Sequence, residues 1–169
     1  MDNNKRVYGL LEASNLNSLD GVSDYVKSFI EKLLSDVLLY VNESVSLKPI
    51  ETISIIDGDM LIQQCVTGPR PLQIYINGSS EALTAFAEDY SHLGVNEYNI
   101  LTQEIIMDFL NLHNGLFAVK LSMNDNLELS LTPPKQIEAS AIEWNLINSI
   151  THVPISFSYG VIDFYICEV

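Results

Sequence analysis

The sequence predicts an α+β domain in which a largely antiparallel sheet is flanked by long helices. Three observations predict it. Helical and strand-like periods occupy separate blocks, in the order helix, three strands, two helices, then three or four strands, instead of alternating as a parallel sheet requires. Short turn signals divide the strand blocks: Asp57-Gly58, Gly68-Pro69-Arg70-Pro71 and Asn77-Gly78. And 169 residues, 47% hydrophobic and 18% charged, can enclose one core.

Residues 1–18 show no clear period and read as a leader, flexible or loosely docked, ahead of a domain spanning 19–169. From there Val22, Val26, Phe29, Ile30, Leu33, Val37 and Val41 recur at three- and four-residue spacing, a helix capped by Asp20 or Ser23. Beyond Pro49, ETISIID and MLIQQCVT flank Asp57-Gly58 and read as a hairpin. PLQIYIN is a third strand. Asn77-Gly78 halts it, and Ser79 or Ser80 caps a short helix through Tyr90 with Leu83, Phe86, Ala87 and Tyr90 as its apolar stripe. A connector containing Gly94 leads to the longest helical segment, about 97–123, which Asn124-Asp125-Asn126 terminates. LELSLTPP is a strand closed by Pro133-Pro134. AIEWNLINSIT, VPISFSY and VIDFYICEV read as further strands, because Ile, Val, Phe and Tyr dominate them.

Charge excludes some functions. A formal net charge of -14 repels phosphate backbones and anionic bilayers, which argues against nucleic-acid and membrane-surface partners. No run approaches the ~20 apolar residues of a membrane span, and the N-terminus lacks the apolar stretch of a signal peptide, so a cytoplasmic protein is expected. Cys65 and Cys167 sit in apolar strand-like runs without a C-x-x-C pattern and are expected as buried free thiols. His92, His113 and His152 have no ligand spacing, so no metal site is expected; His113 reads as a surface histidine and Trp144 as core.

The long helix carries the candidate chemistry. At ~100° per residue, Leu101, Ile105, Phe109, Leu112 and Leu116 gather on a core-facing side, and Glu104, Asp108, Asn111 and Gly115 on another. Asp108 and Asn111 are surface neighbours three residues apart. Gly115 costs ~1 kcal/mol relative to alanine. It is kept either because something approaches closely there or because the helix packs tightly against its own fold. Polar faces of this kind are most often simply solvated.

The acid, the asparagine three residues on and the glycine four further on are followed by the rest of the helix, a turn and a strand ending in Leu131-Thr132-Pro133-Pro134. This resembles the CheC/CheX family of chemotaxis phosphatases, whose signature is E-x-x-N-x-x-x-G. The match is specific over roughly residues 97–137; elsewhere the likeness is one of pattern. The resemblance implies a homodimeric enzyme that hydrolyses the aspartyl phosphate of a CheY-like receiver domain. Asn111 would hold the attacking water and Asp108 would pair with the receiver's lysine. Glu104, Asn114 and Gly115 would meet the partner around them. On the same resemblance the chain would need no cofactor of its own, Mg²⁺ coming with the receiver.

One position departs from the signature. Asp108 stands where the family has glutamate, and the missing methylene draws the carboxylate back by roughly 1.5 Å, when a displacement of ~1 Å can cost about a hundredfold in rate. Using Glu104 as the acid instead places Met107 at the amide position, where it cannot orient water. The rival to the enzyme is therefore a non-catalytic relative that binds a receiver, another signalling component or itself without turnover.

Overall fold

The computed structural model describes residues 2–42 and 44–169; Met1, the first residue of the leader, lies outside the described residues. Among the described residues there are four α-helices, α1 (Asn3–Ala13), α2 (Asp24–Tyr40), α3 (Ser80–Ser91) and α4 (Ile100–Asp125), and one sheet. The sheet runs β1 (Ser46–Leu47), β7 (Ser149–Phe157), β8 (Gly160–Glu168), β4 (Leu72–Gly78), β3 (Met60–Thr67), β5 (Ser130–Leu131). In addition β2 (Glu51–Ile53) pairs with β7 and β6 (Lys135–Glu138) with β3, and every pairing is antiparallel. The α+β class is as expected.

Alternation along the strands splits the apolar side chains between two faces. Ile62, Val66, Ile74, Ile76, Val153, Ile155, Ile162, Phe164 and Ile166 point toward the helices and form the main core with Val26, Phe29, Ile30, Leu33, Phe86, Phe109 and Phe117. Leu61, Tyr75, Ile150, Tyr165 and Cys167 point the other way, into a smaller core closed by Ile142 and the half-buried Trp144. Of the alternative caps, Ser23 and Ser79 act: their hydroxyls accept from the Val26 and Ala82 amides at 3.2 and 3.1 Å. Asn99 and Thr102 form a capping box at the start of α4, and Asn126 ends it in the left-handed conformation.

Several local expectations are corrected. Asp57-Gly58 does not join a hairpin: β2 is only three residues long and pairs with β7, about a hundred residues away in sequence, while β3 pairs with β4, β5 and β6. A turn dipeptide specifies a reversal, not the partner that the chain then finds. LELSLTPP contributes only Ser130–Leu131, and the next strand lies beyond the prolines at Lys135–Glu138. AIEWNLINSIT is not a strand until Ser149; before that it makes two short 3₁₀ turns, Ala139–Ala141 and Trp144–Leu146, which cap the reverse face of the sheet. Apolar residues there serve as a lid, and burial alone does not require a strand. Pro154 sits inside β7 opposite Lys48, whose N–H donates to the Pro154 carbonyl at 3.1 Å; proline has no N–H to return the bond, and β1 ends there, at Leu47.

The leader contains α1, with Val7 and Leu11 buried in the main core beside Leu16. Asn3 Nδ2 donates to the Ser35 carbonyl at 3.2 Å, and Asn15 holds the Ile50 backbone through its own amide at 2.7 and 2.9 Å. The two apolar residues, one turn apart, are too few to give a visible period, yet they suffice once α2 supplies a surface.

Candidate functional site

α4 lies on the sheet with an arc of Thr102, Ile105, Ile106, Phe109, Leu110, His113, Asn114, Phe117 and Leu121 buried. This arc is rotated from the expected one. Leu101 is 48% exposed, and Leu112 and Leu116 are half-buried. His113 and Asn114 take the central places instead. Two polar side chains can occupy the core because each meets a partner from another element.

His113 is fully buried, contrary to the surface position expected for it. Its Nδ1 lies 2.8 Å from Asp36 Oδ2, and Asp36 in turn pairs with Lys32. The ring packs edge-on against Phe29 at 4.7 Å. Burial, the largest influence, lowers its pKa below the usual 6.5 against the raising influence of Asp36, and the nearby Lys32 charge adds a smaller lowering. Neutral His113 therefore donates from Nδ1. Since the unfolded chain takes up the proton near 6.5 and the folded chain does so less readily, this residue makes stability fall as pH drops below about 6.5. The thermal midpoint should decline between about pH 7.5 and 5.5, and His113→Gln should flatten that slope. An equal slope in the variant would show that other groups cause it.

Asn114 was expected on the partner surface and is instead completely buried. Its Nδ2 donates to Gln64 Oε1 at 2.8 Å. Gln64, also completely buried, comes from β3 at the helix-facing position between Ile62 and Val66. Its Nε2 donates to Asn111 Oδ1 at 2.7 Å and to the Thr132 carbonyl at 2.8 Å. A polar residue at a core-facing parity in MLIQQCVT was the available sequence signal for this link.

The remaining motif residues are outward. Glu104, Asp108 and Asn111 are exposed and Gly115 is half-buried. Asp108 and Asn111 thus share an open surface one turn apart. Tyr90, read from sequence as part of an apolar stripe, stacks its ring edge-on against Phe109 at 5.5 Å and donates its hydroxyl to Asp108 Oδ2 at 2.7 Å. Burial first, then the adjacent carboxylate, raises the Tyr90 pKa, so it remains a donor. A shallow groove lined by Tyr90, Leu93, Glu104 and Ile105 adjoins the acid. A Cβ placed on Gly115 would meet only Leu131 Cδ1, at the ordinary contact distance of 3.9 Å. Packing within this fold therefore does not demand glycine there.

Other chemistry is weak by comparison. Both cysteines are free, and burial pushes Cys167 up to about 12, which keeps it a thiol. His152 pairs with Asp163 at 2.7 Å on the reverse face of the sheet. Among the described residues no group of three or more His, Cys, Asp or Glu side chains could hold a metal ion, and no helix is long and apolar enough to cross a membrane.

No family model matches the sequence, and no curated protein matches it. Solved structures do match the fold. A CheC-like superfamily protein from Shewanella sp. PV-4 has a TM-score of 0.70 at 14% identity, covering 88% of this chain and 99% of that one. The chemotaxis protein CheX from Vibrio vulnificus gives 0.69 at 14% identity, over 87% and 100%. CheX from Borrelia burgdorferi, in a CheX-CheY-BeF3-Mg²⁺ complex, gives 0.63 at 19% identity, over 86% and 97%. An eight-stranded antiparallel sheet carrying helices, one of which exposes Asp108 and Asn111 along its middle, is thus built on the fold of the CheC and CheX chemotaxis proteins.

Proposed function

We propose that this chain hydrolyses the aspartyl phosphate of a CheY-like receiver domain, with Asn111 orienting the attacking water and Asp108 pairing with the receiver's lysine. The observation that carries this reading is the exposure of both side chains on one face of α4, in a fold shared with a CheX that has been captured with CheY, BeF3 and Mg²⁺. The same reading takes the protein as a cytoplasmic homodimer. Its Mg²⁺ belongs to the receiver.

Chemically little else is needed. The water oxygen forms a bond to phosphorus as the bond from phosphorus to the aspartyl oxygen breaks; the carboxylate leaves and inorganic phosphate is released. Phosphoryl transfer depends mainly on placement and charge stabilisation. A rigid helix that projects one amide and one carboxylate supplies placement. The test is phosphate release from the pre-phosphorylated receiver with Mg²⁺ present: acceleration supports the reading, and binding without acceleration supports a non-catalytic module.

That second reading has an observation of its own, since Tyr90 already engages one oxygen of the short Asp108 carboxylate. Asp108→Glu decides how much this matters. The longer acid reaches ~1.5 Å further out, past Tyr90, and should raise the rate of phosphate release, by at most about a hundredfold for an error of ~1 Å. A slower enzyme would mean that the aspartate is matched to its partner as it stands.

A further inference from the structure

Asn111 is exposed, yet one end of its amide is not free. The direction of that amide follows from a group with no choice of role. The Thr132 carbonyl can only accept a hydrogen bond. The Gln64 atom 2.8 Å from it must therefore be Nε2. That same nitrogen lies 2.7 Å from the Asn111 side chain, so the atom it meets must be the acceptor, Oδ1. Turning Gln64 over would set its oxygen against the carbonyl; turning Asn111 over would set two donors together. The buried Asn114 Nδ2 closes the chain by donating to Gln64 Oε1 at 2.8 Å.

We propose that Gln64 is a positioning residue which, anchored on the Thr132 carbonyl, fixes the Asn111 amide with its Nδ2 donor facing outward. The catalytic consequence rests on the phosphatase reading above. An outward Nδ2 offers hydrogens to a lone pair of the attacking water or to a phosphoryl oxygen, whereas an outward oxygen would repel the latter.

This also gives the Thr-Pro-Pro step a purpose. Thr132 is pinned to β3 by its N–H to the Cys65 carbonyl and by the Cys65 N–H to its hydroxyl oxygen, both at 3.0 Å. Pro133 and Pro134 follow at the break between β5 and β6, where the carbonyl of Thr132 points to Gln64. Packing does not call for glutamine here, since its neighbours along that face, Ile62 and Val66, are aliphatic.

The experiment uses Gln64→Met, which keeps length and removes the donor. In the free protein the ¹⁵N order parameter of the Asn111 side-chain NH₂ should fall from near 0.85, the value of rigid backbone, to below about 0.6. An unchanged order parameter overturns the proposal, and this holds whether or not the protein is a phosphatase. With phosphorylated receiver, kcat should fall roughly tenfold to a hundredfold with little change in KM. In an Asn111→Ala background the same change should cost nothing more, because Gln64 acts only through Asn111. Equal loss in both backgrounds, or no loss in either, overturns the positioning role. A wild-type protein without any phosphatase activity overturns the phosphatase reading and leaves the order parameter to decide this one.

Discussion

Asn111→Ala is expected to lower the rate of phosphate release from a phosphorylated receiver by about 10²–10³, the usual effect of deleting one well-aimed polar group from an electrostatically organised site. The fold should be untouched. Asn111 is exposed, and alanine is the better helix former. Its side chain's only hydrogen bond among the described residues is the one from Gln64, and Gln64 retains the Thr132 carbonyl. The loss should therefore appear in kcat, with receiver affinity and thermal midpoint preserved. Phosphate release under saturating receiver, alongside a binding isotherm, separates these quantities. A variant as fast as the parent would remove Asn111 from the chemistry.

The largest stability effect is expected at Phe109. Its fully buried ring stands edge-on to Phe86 at 5.1 Å and to Tyr90 at 5.5 Å, and meets Phe164 of β8 at 6.5 Å. It thus joins α3, α4 and the sheet. Phe109→Ala should cost about 3–5 kcal/mol, the transfer term plus the cavity that neighbours on three elements cannot collapse to fill. For a chain of this size, that lowers the thermal midpoint by roughly 6–20 °C. Phe109→Leu, which leaves a smaller void, should cost less. Denaturant unfolding measures both, and a loss below ~1 kcal/mol for alanine would show that the site relaxes freely.

Wherever a pattern was local, the sequence was legible. β3, β4, β8 and the three longer helices lie close to their predicted places, because alternation and three- to four-residue spacing are properties of adjacent residues. Asp108 and Asn111 were placed on one outer face by the same reasoning, since helical geometry fixes where neighbours three apart point. The acid, the amide and the glycine also carried the resemblance from which their roles are proposed.

Other features depended on residues distant in sequence. His113 reads as surface until Asp36, from α2, is brought to its Nδ1; Asn114 reads as surface until Gln64 arrives from β3. A buried polar group is tolerable only when its hydrogen-bond partner is in place, and nothing local announces a partner fifty or more residues away. The pairing of β2 with β7, the folding of 139–147 as a cover and the docking of α1 are contingent in the same way.

The sequence by itself determined which side chains share the exposed face of α4. Only the tertiary structure decided how one of them is held, because the direction of the Asn111 amide is set by a carbonyl just past β5, through a glutamine on β3.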